Sequence, residues 1–98
     1  MNAELIEDTE ALNHIEELPS DRVADLVEYL VVNIVDDPAG VTLEVVDDEQ
    51  SSTIEITVSD TDTAKVIGRH GRTIQAIRTL ARALAARLGI SVDIEVLG

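Results

Sequence analysis

Backbone freedom and positive charge meet at Gly68-Arg69-His70-Gly71, inside the longer run Val66-Ile67-Gly68-Arg69-His70-Gly71-Arg72-Thr73-Ile74. Two glycines enclose an arginine and a histidine, with helical apolar patterning on either side. A glycine at 68 can end one helix in a left-handed conformation at no steric cost. A glycine at 71 lets the next helix begin with no Cβ blocking an approaching ligand. That helix opens with unpaired N–H groups and the positive end of a dipole, which together favour an anion. A bare G-x-x-G supports no more than a tight turn between helices. The surrounding charge supports more: residues 63–92 carry six bases and no acid. The stretch therefore has the chemistry of a phosphate-backbone site.

Other chemistries find little material. The chain has no cysteine, so disulfides and thiolate metal sites are excluded. Its two histidines, His14 and His70, have no evident nucleophile or base beside them, and no catalytic residue can be named. The acidic run Asp47-Asp48-Glu49 lacks the glycine and the alternating oxygen spacing of a calcium loop, so it reads as a solvated turn. Neither a metal nor a cofactor is expected, and the chain is not expected to be an enzyme.

The formal net charge of −13 argues against a nucleic-acid partner only if distribution is ignored. Residues 1–62 hold 18 acids and a single base, Arg22, while the cations gather after residue 62. This acidity fits either a high-salt cytoplasm or an acidic partner-binding face. No apolar run reaches the roughly 18 residues of a membrane span, and the acidic N-terminus is unlike a signal peptide. A cytoplasmic protein with no membrane role is the expectation. With Tyr29 the sole aromatic residue, the core must be aliphatic.

The elements that must position the loop can be read in order. Residues 1–20 are expected to be an acidic extension, mobile or forming a short helix over Thr9 to Leu18 that Pro19 ends. Residues 21–98 form the domain. Ser20 should cap a helix from about Asp21 to Val35, whose stripe is Val23, Leu26, Val27, Leu30 and Ile34. Tyr29 and Val32 fall off that stripe, as ordinary exposed residues or as a protein contact. Two alternating runs follow, Val41/Leu43/Val45 and Ile54/Ile56/Val58, forming a hairpin with one buried face. Ser59 or Asp60 caps a short helix, Thr61 to Ile67, leading to the loop. The next helix runs from Arg72 to Leu88, stopped by Gly89, with Ile74, Ile77, Leu80, Ala81, Leu84 and Leu88 inward. Gln75, Arg78 and Arg82 share one flank. Ile90, Val92, Ile94 and Val96 give a third strand. The sum is an α+β two-layer sandwich, a three-stranded mixed sheet covered on one face by helices, with Thr53–Val58 in the middle.

The element order αββααβ together with V-I-G-R-H-G-R-T-I-Q-A-I-R-T-L resembles a KH domain of the bacterial, type II, topology. More narrowly, from about Asp21 to Val96 and including the "LVEYLV" helix and "DDP" stop, the chain resembles the small RNA-binding proteins of the KhpA family. The resemblance implies that the G-x-x-G loop clamps the backbone of about four single-stranded nucleotides, with bases in an adjoining apolar groove. Gly68 and Gly71 would allow close approach. Arg69 and His70 would face phosphates, and the N–H groups of Arg72 and Thr73 would open the second helix toward them. Ile67 would line the groove, with Lys65, Arg78 and Arg82 as marginal steering charges. Without Phe or Trp, stacking platforms are lacking and sequence readout should be shallow. The implied role is RNA regulation or RNA chaperoning, with single-stranded RNA and either a second KH-containing protein or a homodimer as partners. Two rivals remain: a helix-turn-helix on DNA, which the strands disfavour, and a protein-interaction module of KH fold that no longer binds RNA.

Overall fold

The computed structural model describes residues 17–98. The expected helix over Thr9 to Leu18 falls almost wholly outside them. Six regular elements follow: α1 (Pro19–Val32), β1 (Thr42–Asp47), β2 (Ser52–Thr57), α2 (Thr63–Ile67), α3 (Arg72–Leu88) and β3 (Val92–Leu97). Short 3-10 turns at Pro38–Gly40, Asp60–Asp62 and Arg69–Gly71 join them. The sheet order is β1-β2-β3, with β2 antiparallel to β1 and parallel to β3. The αββααβ order and mixed sheet expected from sequence are therefore present.

α1 starts earlier than expected, because Pro19 occupies its first turn. A missing N–H costs nothing at a helix start, where it would be unpaired anyway. The Leu18 carbonyl accepts from the Asp21 and Arg22 amides at 3.0 and 3.2 Å. Ser20 makes no capping bond; it lies buried inside the first turn. The helix also stops at Val32, three residues short of the expected end. There the Asn33 side chain donates to the Tyr29 carbonyl at 2.7 Å.

The core gathers Val23, Ala24, Val27 and Val31 from α1, Ile54 and Ile56 from β2, Val66 from α2, Ile74, Ile77, Ala81 and Ala85 from α3, and Val92 and Ile94 from β3. Strand parity is as read: alternate residues face the helices. The helical stripes are rotated from expectation. On α1, Ala24 and Val31 are buried while Leu26 and Leu30 are only half-buried, as is Ile34 just past its end. On α3, Ala85 is buried and Leu80 is 49% exposed. Small side chains occupy the line of closest approach, and larger ones cover its sides.

Among the described residues no helix covers the opposite sheet face. Across it Glu44, Glu55 and Glu95 stand in register on three adjacent strands, a lateral row of like charges. Such pairing is unfavourable in itself.

Candidate nucleic-acid interface

α2 is only five residues long, and its last turn closes with the Gly68 amide donating to the Ala64 carbonyl at 2.8 Å. Gly68 then adopts φ 79, ψ 169. Its φ is positive as expected, but the conformation is the extended mirror region that only glycine tolerates, not the left-handed helical one. Space enforces the same choice. A Cβ on Gly68 would stand 2.2 Å from Thr73 Oγ1 and 2.7 Å from the Thr73 backbone nitrogen. Thr73, named from sequence as a site residue, thus packs beneath the loop.

The next three residues form a tight turn. The Gly71 amide donates to the Gly68 carbonyl at 3.1 Å, and the Arg72 amide donates to the Arg69 carbonyl. The Arg72 N–H is therefore turned into the loop, not outward to a ligand as expected, because a 3-10 turn closes there before α3 begins. His70 is the one non-glycine residue with positive φ among those described (φ 57, ψ 24), and Gly71 is left-handed (φ 73, ψ 14). Left-handed backbone in a residue with a Cβ is uncommon, and histidine is among the types enriched there. Nothing lies within 4 Å of a Cβ placed on Gly71, so space above the backbone is open. Arg69, His70 and Arg72 are exposed around that opening, and Ile67, 37% exposed, sits at its edge. The loop thus combines rigid geometry, bare backbone and cationic side chains.

Two other cations expected at the site have protein partners. Lys65 Nζ lies 2.7 Å from Asp36 Oδ2 and 3.9 Å from Asp62 Oδ1. The hydrogen bond and charge of Asp36, aided by the charge of Asp62, hold its pKa above the ordinary lysine value. The lysine therefore stays charged at neutral pH, and its contribution to the pair is lost as pH rises through that raised value. Arg78 is half-buried and donates from Nε and Nη2 to the Ile94 carbonyl at 3.4 and 3.2 Å. Arg82 approaches Asp93 at 3.8 Å, both well exposed. Gln75, Arg78, Arg82, Asp93, Ile94 and Glu95 line one groove between α3 and β3. The apolar groove implied by the resemblance is, along this stretch, mostly polar.

Sequence reasoning missed Asp62. It is wholly buried, and its carboxylate accepts from the Asp36 amide at 3.1 Å and the Asp37 amide at 3.0 Å. It ties the turn after α1 to the start of α2, and so fixes where the loop is delivered. Neither Ser59 nor Asp62 makes a side-chain cap on the following helical turn. The Ser59 hydroxyl instead donates to Asp37 Oδ2. The one local signal was the i, i+3 spacing of Asp62 and Lys65.

No group of three or more metal-ligating side chains occurs among the described residues, and no described helix is long and apolar enough to cross a membrane. Residues 24–96 match the KhpA/KhpB KH-domain family. RNA-binding protein KhpA of Borreliella burgdorferi is 42% identical over 73 residues, covering 74% of this chain and 89% of the relative. Its namesake in Mycobacterium tuberculosis is 44% identical over 72 residues, with the same two shares. Among solved structures, Era in complex with MgGDPNP and nucleotides 1506–1542 of 16S ribosomal RNA matches with TM-score 0.64 at 18% identity. That match covers 83% of this chain but 31% of Era, and it speaks for the fold alone. Between the family match over three-quarters of its length and the topology and glycine loop already described, the chain belongs to the non-enzymatic KhpA/KhpB KH-domain family.

Proposed function

We propose that this protein binds single-stranded RNA, holding the phosphate backbone against Gly68-Arg69-His70-Gly71 and laying the bases along the groove between α3 and β3. The observation that carries the reading is the loop itself. Positive φ at Gly68, His70 and Gly71 bares backbone between two exposed cationic positions. Two relatives above 40% identity are named RNA-binding proteins, which supports the same ligand class. Lys65 and Arg78 contribute less than their charge suggests, since each has a protein partner. Gly68 and Thr73 act by shaping the turn, and Arg69, His70 and Arg72 supply the attraction, with Ile67 at the rim. Work in RNA regulation or chaperoning, in the cytoplasm, alongside a second KH-containing protein or a second copy, completes the proposal.

The test replaces Arg69 and His70 together with aspartate. Both side chains face solvent, so stability should change by no more than about 0.5 kcal/mol. Affinity for mixed single-stranded RNA should fall at least about tenfold, because two attractive groups become repulsive at a range salt screens poorly. Fluorescence anisotropy and a thermal melt read the two quantities. Equal binding by parent and variant would reduce the loop to a turn. Failure of the parent to bind would instead favour the interaction-module reading, in which Tyr29, 66% exposed on α1, is the natural contact.

A further inference from the structure

β3 lies at the edge of the sheet, so among the described residues half its backbone groups have no strand to pair with. Which half follows from the ladder. Ser52 is in register with Val92, and the Ser52 amide donates to the Ser91 carbonyl at 3.0 Å. Odd-numbered residues of β3 therefore turn their N–H and C=O groups toward β2, while Val92, Ile94 and Val96 turn theirs outward. Ile94 lines the groove beside α3, and there Arg78 covers its carbonyl with two guanidinium N–H groups. Arg82, at the same wall, stands over Asp93. Of the acceptors bordering the groove, the Ile94 carbonyl is thus the one hydrogen-bonded by an arginine; Asp93 meets Arg82 only as an exposed ion pair at 3.8 Å, with Gln75 and Glu95 beside them.

We infer that Arg78 is a specificity-determining residue, which sets base preference by occupying the Ile94 carbonyl. The inference rests on the RNA-binding reading above. A base edge is recognised by what the groove still offers. The Ile94 N–H and the spare guanidinium N–H groups are donors, and they suit the carbonyl-rich edge of uracil. Adenine and cytosine present an exocyclic amino group, which needs an acceptor where Arg78 already sits. Each loses one hydrogen bond or must displace a charge-assisted one. Arg78 thereby acts as a filter on the base, not as a partner of the phosphate, although composition alone counts it with the other cations.

The experiment compares parent, Arg78→Met and Arg78→Lys for binding to short homopolymers of uridine, adenosine and cytidine. Methionine keeps most of the aliphatic stem and removes every donor, freeing the Ile94 carbonyl. The parent should favour uridine. In Arg78→Met the adenosine-to-uridine and cytidine-to-uridine affinity ratios should each rise about fivefold, the worth of one hydrogen bond. Lysine restores one donor and should return the ratios partway to the parent. A residue that merely staples α3 to β3 would behave differently: Arg78→Met would melt earlier and weaken all three ligands by one common factor. Unchanged or falling ratios overturn the inference while leaving RNA binding intact. A parent that binds none of the three overturns the RNA reading and this inference with it.

Discussion

α1 and α3 lie on the same side of the sheet and bury the same kind of stripe, yet they face solvent with opposite charge. α1 turns Asp21, Asp25 and Glu28 toward the β1 edge, where they border a groove floored by Ala24, Leu43 and Val45. α3 carries Arg72, Arg78, Arg82 and Arg87 and no acid, and its basic flank borders the β3 edge. Packing asks the same of both helices, small or β-branched residues along a narrow line, and leaves the flanks free. The two helices therefore differ in their flanks, and on the proposed function α1 is the support and α3 the binding wall.

The comparison breaks first at the seam between the two halves. Asp62→Ala removes the carboxylate that ties the turn after α1 to α2, leaving the Asp36 and Asp37 amides unpaired. The expected loss is about 3 kcal/mol, read by chemical denaturation. Asp62→Asn keeps one acceptor oxygen and should lose about half as much. If Asp62→Ala unfolds at the parent's denaturant concentration, the two halves do not depend on this tie.

A smaller effect sharpens the contrast of flanks. Arg72→Glu with Arg82→Glu should lower RNA affinity about tenfold, since both replace exposed attraction by repulsion, one beside the loop and one in the groove proposed to hold the bases. Asp25→Lys with Glu28→Lys, on the far helix, should raise it less than about threefold, through long-range attraction that salt removes. Both pairs lie on solvent-facing positions, so melts should move little. Equal and opposite affinity changes would mean that net charge, not its placement, governs binding.

Much of this arrangement was legible beforehand, and the reasons differ by residue. α3 runs from Arg72 to Leu88 with Gly89 left-handed behind it, as the glycines and periodicity required. Strand parity was equally plain, since a period of two allows only one buried face. The helical stripes came out rotated because hydrophobicity ranks leucine above alanine, whereas close-packed backbones prefer alanine; hence Leu80 outside and Ala85 inside. Asp62 was hidden for another reason. A solvated and a buried carboxylate look alike in sequence, and its amide partners are 25 and 26 residues away. Lys65 and Arg78 failed similarly: sequence declares a charge but not what satisfies it. At Gly68, the need for positive φ was foreseen, but the pressure of Thr73 against its Cα was not.

The row of Glu44, Glu55 and Glu95 on the open sheet face has a consequence for how the protein responds to its medium. Neighbouring strands stand about 4.8 Å apart, inside the screening length of any dilute buffer, which is about 30 Å at 0.01 M salt and 10 Å at 0.1 M. Among the described residues no base stands in that register row to offset the three carboxylates. Mobile cations are then their natural counterweight, and the fold should tighten as they are supplied. On the proposed function RNA affinity should run the other way, because phosphate contacts weaken as salt rises. Melting temperature should climb and affinity decline over the same titration, about 0.05 to 0.5 M sodium chloride. A melting temperature that falls across that range would mean the row is not felt. Otherwise ionic strength acts as a single dial with opposed readings, one for holding shape and one for holding a ligand.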